Sequence, residues 1–456
     1  PTLVSGKVDI GAYNTIGYIK VTDTPGVFTL TANDDIVAAG GSQLTWTVKV
    51  GEDEDKSIGI ALAGDQRTVT VTIPDTHALV DENTTFTISC VGAENEVNEW
   101  VGKLTIVNKG NNQILVVTGD PIDVADDVDP SVFCTTESTI SGIPTTEGGT
   151  TSVEKTNIQD VTLESIKSGV TEIPDNFLSN CTNMSDIDLT GLSDVTTIGD
   201  NFLYCCTSLT STAKNPIDLS GLTNVTTIGE GFLSGNDTGS VNMHLQTLDL
   251  TPMSNVTSIG NEFLFRNADL VSVDLTSMTE VTEFGEHFLA RCTSLESVDL
   301  SAFSKVQSIG RSFCSHNKAL KSLDMSAFTS VTWIGHYFCG DCSGLESINI
   351  SGFINVETLD YYFLSECTSL QSLDMSMMTA LQYIGHTFMQ ECDALANLYA
   401  PDIDPSTITY GTTSSKTNFM SNTKSDCNIW VRSDLLTKYT ETDPWSGRST
   451  YIQAKS

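Results

Sequence analysis

Aromatic and imidazole side chains gather late in this chain: Trp333, His336, Tyr337, Tyr361, Tyr362, Tyr383 and His386. Exposed rings of this kind contact proteins or sugars, because a large rigid surface is buried at small entropic cost. The alternative is that they pack on one another as a surface ladder. Two histidines also raise the question of a metal. Zinc needs ligands at about 2 Å, whereas the repeat described next sets His336 and His386 two strands apart, about 10 Å. No metal is expected. A second set is acidic. Asp274, Asp299, Asp324 and Asp374 each sit between two apolar residues. On adjacent strands their carboxylates would stand about 5 Å apart, where like charges oppose one another. Either they accept hydrogen bonds from flanking Ser and Thr, or they form a face for a cation or basic ligand. No G-x-S-x-G, H-E-x-x-H, phosphate-loop or dinucleotide motif occurs. The expectation is therefore no enzyme, no catalytic residue and no cofactor.

What positions these residues is a repeat. Phe recurs at 177, 202, 232, 263, 288, 313, 338, 363 and 388; six of the eight spacings are 25, and the others are 30 and 31. A unit this short cannot bury its own apolar face and must stack on a copy of itself, which means a solenoid. Function is then sought on the solenoid surface rather than in a closed cleft. Each copy opens on Val, then an Ile-Gly pair such as Ile309-Gly310, then the Phe, then an alternating segment such as Val298-Asp299-Leu300. Alternation with period two reads as a short strand. The Phe segment does not alternate and reads as a short helical or 3₁₀ turn. Gly after Ile suits a corner with positive φ. The two long copies carry extra residues near Lys214-Asn215-Pro216 and Asp237-Thr238-Gly239-Ser240, expected as exposed loops.

The pattern V-T-x-I-G-x-x-F-L-x-x-C-x-x-L-x-x-L-D-L-S, kept through nine copies, resembles the BspA-like subclass of bacterial leucine-rich repeats. The resemblance covers roughly residues 161 to 456. It implies a curved solenoid with one parallel sheet, and a secreted or cell-surface protein that adheres to host or extracellular proteins through the repeat surface. A glycan ligand is the rival within binding. A structural stalk or surface-layer component is the rival from another class.

Four residues after the Phe lie Cys181, Cys206, Cys292, Cys342, Cys367 and Cys392, replaced by Asn236, Asn267 and Asn317 in the other copies. Cys and Asn exchange where a small side chain meets backbone groups inside a turn; a disulfide column would not accept Asn. Free thiols are expected. The formal net charge is −36, from 22 basic and 58 acidic residues. This argues against nucleic acid and anionic membranes as partners and suits a self-repelling monomer. No run is apolar enough to span a bilayer. A start at Pro1 is what a trimmed, secreted or surface protein would show, with lipid anchoring through a removed N-terminal region as one mode.

The overall expectation is mainly β. Residues 1–112 alternate over 44–50, 68–73 and 86–90 and read as an antiparallel β-sandwich. It resembles the immunoglobulin-like modules of bacterial surface proteins, which act as spacers or docking units. Residues 113–160 read as an acidic linker, with Asp120, Asp123, Asp126, Asp127 and Asp129, and an N-terminal cap. The solenoid takes 161–398. Residues 399–456 read as a small C-terminal cap, with Ser433 as N-cap of a short helix and Trp430 and Trp445 in its core.

Overall fold

A computed structural model describes residues 128–455 apart from 145–149, 159, 164–168, 213–215, 237, 239–240 and 412–418, and before residue 128 the backbone of ten strands. The chain divides into two compact units, 1–123 with 157–160, and 124–156 with 161–456. In the first unit one sheet runs in the order Val8–Ile10, Val27–Ala32, Thr68–Thr72, Gly59–Leu62. The other runs Tyr18–Lys20, Asn112–Thr118, Glu99–Lys109, Thr85–Val91, Thr45–Val50, Asp53–Glu54. Pairing is antiparallel, apart from the parallel pair Val8–Ile10 with Val27–Ala32. The expected acidic linker residues Asp120, Asp123, Asp126 and Asp127 lie outside the described residues.

The second unit is a parallel β-solenoid. Its longest sheet has ten strands of two residues each, from Glu172–Ile173 to Thr409–Tyr410. Ile173, Ile198, Ile228 and Ile259 follow one another in register, and all are buried. The expected single sheet of Leu-Asp-Leu segments is thereby corrected. Several of those segments do form strands, such as Ser322–Asp324 and Ser347–Asn349, but only in short separate sheets, and Val298-Asp299-Leu300 forms none. The Asp is the reason. Its carboxylate accepts the N–H two residues on, as in Asp324 Oδ1 from Ser326 N at 2.9 Å, and this Asx-type turn ends the strand after three residues.

The Phe segment is not helical either. Residues just before, just after and three after each Phe hold positive φ, except Gly235 after Phe232; examples are Tyr337 (57°), Cys339 (50°) and Asp341 (54°). Left-handed non-glycine residues cost of order 1–3 kcal/mol and persist only where surroundings over-determine them. Here three backbone bonds per turn do so: Tyr337 N to Tyr361 O and Asp341 N to Ser365 O, each 2.9 Å, reach the next turn, and Cys339 N to Phe313 O, 2.9 Å, reaches the preceding one. Between left-handed neighbours the Phe rings point inward and stack. Centroids from Phe177 through Phe388 lie 5.1–5.9 Å apart with planes within 10° of parallel. Each buried ring contributes about 1.5–3 kcal/mol.

The glycines after Ile need a different explanation from the expected one. The positive-φ glycines among the described residues are Gly142, Gly169 and Gly231, none of which follows the Ile. What Gly199, Gly229, Gly260, Gly310, Gly335 and Gly385 share, with Gly285 after Phe284 in the same column, is close approach. A Cβ on Gly285 would lie 2.4 Å from Asn261 N and Gly260 C, and one on Gly310 would lie 2.5 Å from Gly285 O.

In five of its six turns the Cys of the column has the same role. The thiol donates to the carbonyl just after the preceding Phe: Cys206 to Leu178 (3.1 Å), Cys292 to Leu264 (3.3 Å), Cys342 to Cys314 (3.1 Å), Cys367 to Cys339 (3.1 Å) and Cys392 to Leu364 (3.2 Å). Asn267 and Asn317 make the same bond through Nδ2 at 2.8 and 2.9 Å. All these cysteines are free. In the longest copy, Asn236 and Val241 exchange backbone bonds of 2.9 and 3.0 Å and close the base of the inserted loop; residues 213–215, 237 and 239–240 of the two insertions lie outside the described residues.

The register also continues past residue 398. Phe419 stacks on Phe388 at 5.1 Å, Met420 and Asn422 hold positive φ, and Thr423 Oγ1 fills the Cys position by donating to Met389 O at 2.5 Å. Beyond it, Asn428–Val431 and Ile452–Ala454 extend the last sheet. Trp445, fully buried, closes the column against Phe419 and Tyr439, and its Nε1 donates to Tyr410 Oη at 2.7 Å. Trp430 is only half-buried, its Nε1 held by Asn397 Oδ1 at 2.9 Å. Ser433 opens a 3₁₀ turn that leads into the helix Leu436–Glu441, without a side-chain cap.

Candidate functional site

The ten-strand sheet and the left-handed segment that follows it place the aromatic residues on one outer ridge. Trp333 and Tyr383 are the outward residues of the strands Trp333–Ile334 and Tyr383–Ile384, with Thr358 between them in register. Their strands stand about 10 Å apart. Trp333 is 39% exposed. Its ring lies over Gly335, where its Cη2 would be 2.9 Å from a Cβ.

Next along the ridge, two columns of rings stack. His336, Tyr361 and His386 form a three-ring pile with centroids 4.7 and 4.1 Å apart and planes 21° and 15° from parallel. Tyr337 and Tyr362 stack at 4.2 Å, with planes 4° from parallel. The Tyr361 phenol thus sits between the two imidazoles. His386 Nδ1 lies 2.7 Å from Thr387 Oγ1. Burial, the Tyr361 hydroxyl and Asp360 push the Tyr383 phenol well above its ordinary range. Burial first, then Tyr362, push Tyr337 up as well. These phenols are neutral donors at any physiological pH.

One residue of this site is absent from the expected set. Asp360 stands in the glycine column, where the Ile-Gly pair becomes Leu359-Asp360. Its Oδ2 lies 2.9 Å from His336 Nε2 and its Oδ1 accepts Tyr361 N at 2.9 Å. The signal was legible as the break in the column.

The Asp face is organised differently. Asp274 Oδ1 accepts Thr276 N and Oγ1 at 3.0 and 2.6 Å; Asp299 and Asp374 each accept the Ser N–H two residues on at 2.9 Å. Hydrogen bonds from Ser301, side chain then backbone, hold Asp299 below the usual carboxylate range. Asp324 also accepts Asn349 Nδ2 at 3.0 Å, which relieves the like-charge contact at that step. These carboxylates shape turns, and the structure does not bring them together with the aromatic ridge.

Among the described residues no helix is long and apolar enough to cross a membrane. No curated protein matches the chain. The model of the BspA type leucine rich repeat region does match, in six copies, over residues 134–236, 222–331 and 303–418. These stretches span the stacked Phe column, run on to the turn closed by Phe419, and cover more than half of the chain. With its repeat, its solenoid and its columns accounted for, the chain belongs to the family of BspA type leucine rich repeats.

Proposed function

We propose that this protein is a non-enzymatic bacterial surface or secreted binding protein that engages a host or extracellular protein through the ridge from Trp333 to His386. The observation that carries the reading is the preordered pile His336–Tyr361–His386 beside the exposed Trp333. Rings already fixed by stacking lose little freedom on binding, which is the economy of an aromatic hot spot. In the early turns the positions beside the Phe carry Asp175, Asp200 and Glu230, so this patch is local. A glycan is the second reading, suggested by the exposed Trp333 and the tyrosines of the ridge. The N-terminal unit is read as an immunoglobulin-like module acting as a spacer.

Trp333→Ala separates binding from packing, because the Trp is the most exposed ring of the set. Cell or protein binding is expected to fall about 30-fold, the equivalent of roughly 2 kcal/mol at a hot spot, with little change in thermal stability. Removal of Tyr361 and Tyr383 together with Trp333 is expected to abolish binding. Unchanged binding to extracellular proteins, alongside capture of an oligosaccharide that Trp333→Ala removes, would transfer the site to the glycan reading.

A further inference from the structure

The column that carries the ring pile meets a cation one turn before His336. Two residues before Phe288, Phe313, Phe338, Phe363 and Phe388 stand Glu286, Arg311, His336, Tyr361 and His386. Arg311 is exposed and its backbone is fixed beside the ridge: the next residue, Ser312, donates its N–H to His336 O at 2.6 Å. A Cβ on Gly335 would lie 2.9 Å from Trp333 Cη2 and 3.0 Å from Arg311 N, so the exposed indole and Arg311 flank one point.

Acidic residues outnumber basic ones in this chain, 58 to 22, so a basic side chain ordinarily finds a carboxylate. On nearby turns Lys305, Lys318 and Lys321 pair with Glu280, Asp341 and Glu346 at 2.6, 3.5 and 4.0 Å. Among the described residues the Arg311 guanidinium forms neither an ion pair nor a hydrogen bond. Burial pushes the Tyr337 phenol up, Glu366 adds to the push, and the Arg311 charge opposes it, so the guanidinium stands within electrostatic reach of the rings. A group with N–H donors and no acceptor thus faces solvent next to the exposed Trp333. Trp and Arg are residue types on which binding energy concentrates.

The surroundings define the charge of the ligand. A guanidinium fork matches a carboxylate through two parallel bonds. A polyanion would need further cations along the ridge, and no Lys or Arg occurs from residue 322 to 415. Asp341, Glu366 and Glu391, each three residues after a Phe, and the net charge of −36 would repel it. One carboxylate beside an apolar group fits where a run of negative charge does not.

We propose that Arg311 binds a single carboxylate of the partner protein, an Asp or Glu side chain next to the apolar residue that covers Trp333. This rests on the reading of the ridge as a protein-binding surface and names the chemistry of its partner.

The test selects displayed random peptides on the whole chain, then on Arg311→Gln and Trp333→Ala. The parent is expected to enrich Asp or Glu beside Phe, Leu or Trp, against the Lys and Arg that net charge alone would favour. Arg311→Gln is expected to lose the acidic position and keep the apolar one, with an unchanged thermal midpoint; Trp333→Ala is expected to lose the apolar one. With a synthetic peptide of the enriched sequence, Arg311→Gln and replacement of the peptide's acid by its amide are each expected to weaken binding about tenfold, and together no more than either alone. Lys305→Gln makes the same change in net charge outside the ridge and is expected to leave affinity within twofold. A preference for Lys or Arg, an acidic preference that survives Arg311→Gln, or equal losses in Arg311→Gln and Lys305→Gln would overturn the proposal while Trp333→Ala still upheld the ridge. No enriched peptide, or a selection unmoved by Trp333→Ala, would overturn the ridge reading and this proposal with it.

Discussion

Asp360 carries its carboxylate to within 2.9 Å of the His336 imidazole one turn earlier, from a position that other turns give to glycine. The pair ties the Tyr361 turn to the His336 turn at the centre of the aromatic ridge. Its members are partly exposed, so the coupling is modest, about 0.5–1 kcal/mol. A double-mutant cycle of His336→Ala and Asp360→Ala, read by denaturant unfolding, is expected to return a coupling of that size. A coupling of zero would mean that the contact does not order the ridge.

The glycine column gives a sharper stability prediction. Gly285→Ala forces a Cβ to within 2.4 Å of the Asn261 and Gly260 backbone, and overpacking of this kind costs about 1–3 kcal/mol. Gly142→Ala meets nothing within 4 Å, although its φ is 81°, so its cost is the left-handed penalty alone, about 1–2 kcal/mol. Crystals or exchange data on Gly285→Ala are expected to show a widened step between two turns; Gly142→Ala is expected to leave the stack unmoved.

These contrasts mark what a sequence conveys. The Phe spacing showed the solenoid because an identical residue at an identical interval needs no conformational inference. The Asn residues in the Cys column likewise pointed to a shared donor. The ten-strand sheet was not legible, because two residues per strand carry no alternation. Nor were the left-handed positions, where Leu203, Cys339 and Tyr362 override local preference under the hydrogen bonds of their neighbours. The turn at Phe419 was hidden by a 31-residue interval and by Thr423 in place of Cys or Asn. At the site, the rings could be named from composition, but their stacking on one another depends on side-chain geometry that spacing does not encode.

The thiols make a prediction about pH and reactivity. Burial pushes Cys292 and Cys392 up from 9.0 to about 12. The folded state holds these protons more tightly than the unfolded chain, so their contribution to stability is complete below about pH 9 and is lost as pH climbs toward 12. Unfolding midpoints are expected to fall steeply across that window. At pH 8 a thiol reagent is expected to react slowly with the native protein and rapidly once denaturant is added, with Cys292, Cys342, Cys367 and Cys392 all counted as free thiols. A deficit in that count would reveal bridges between turns.

Substitution in the same column ranks by shape and donor. Cys342→Asn keeps a donor toward Cys314 O, at the cost of a buried amide oxygen; Asn267 Oδ1 and Asn317 Oδ1 already stand without a partner. Cys342→Leu removes the donor and adds volume to a fully buried site. The Asn variant is expected to be the more stable of the two by about 1 kcal/mol or more. The reverse order in chemical unfolding would show that volume, rather than the hydrogen bond, sets the column.

Trp445 tests how the solenoid ends. A stack held by nearest neighbours loosens from an exposed end, since the last turn has only one partner. Trp445 covers that end from a fully buried position against Phe419 and Tyr439. Trp445→Ala is expected to remove about 3–5 kcal/mol of local packing. The loss should appear as fraying rather than as global collapse. Limited proteolysis is expected to clip the variant after Tyr399 and to leave a resistant fragment that retains the stacked Phe column through Phe363. Trp430→Ala removes only a half-buried ring and its bond to Asn397, and is expected to leave the digestion pattern of the parent. If Trp445→Ala instead unfolded the whole array in one step, the turns would be coupled far beyond their neighbours, and the end would be a keystone rather than a cap.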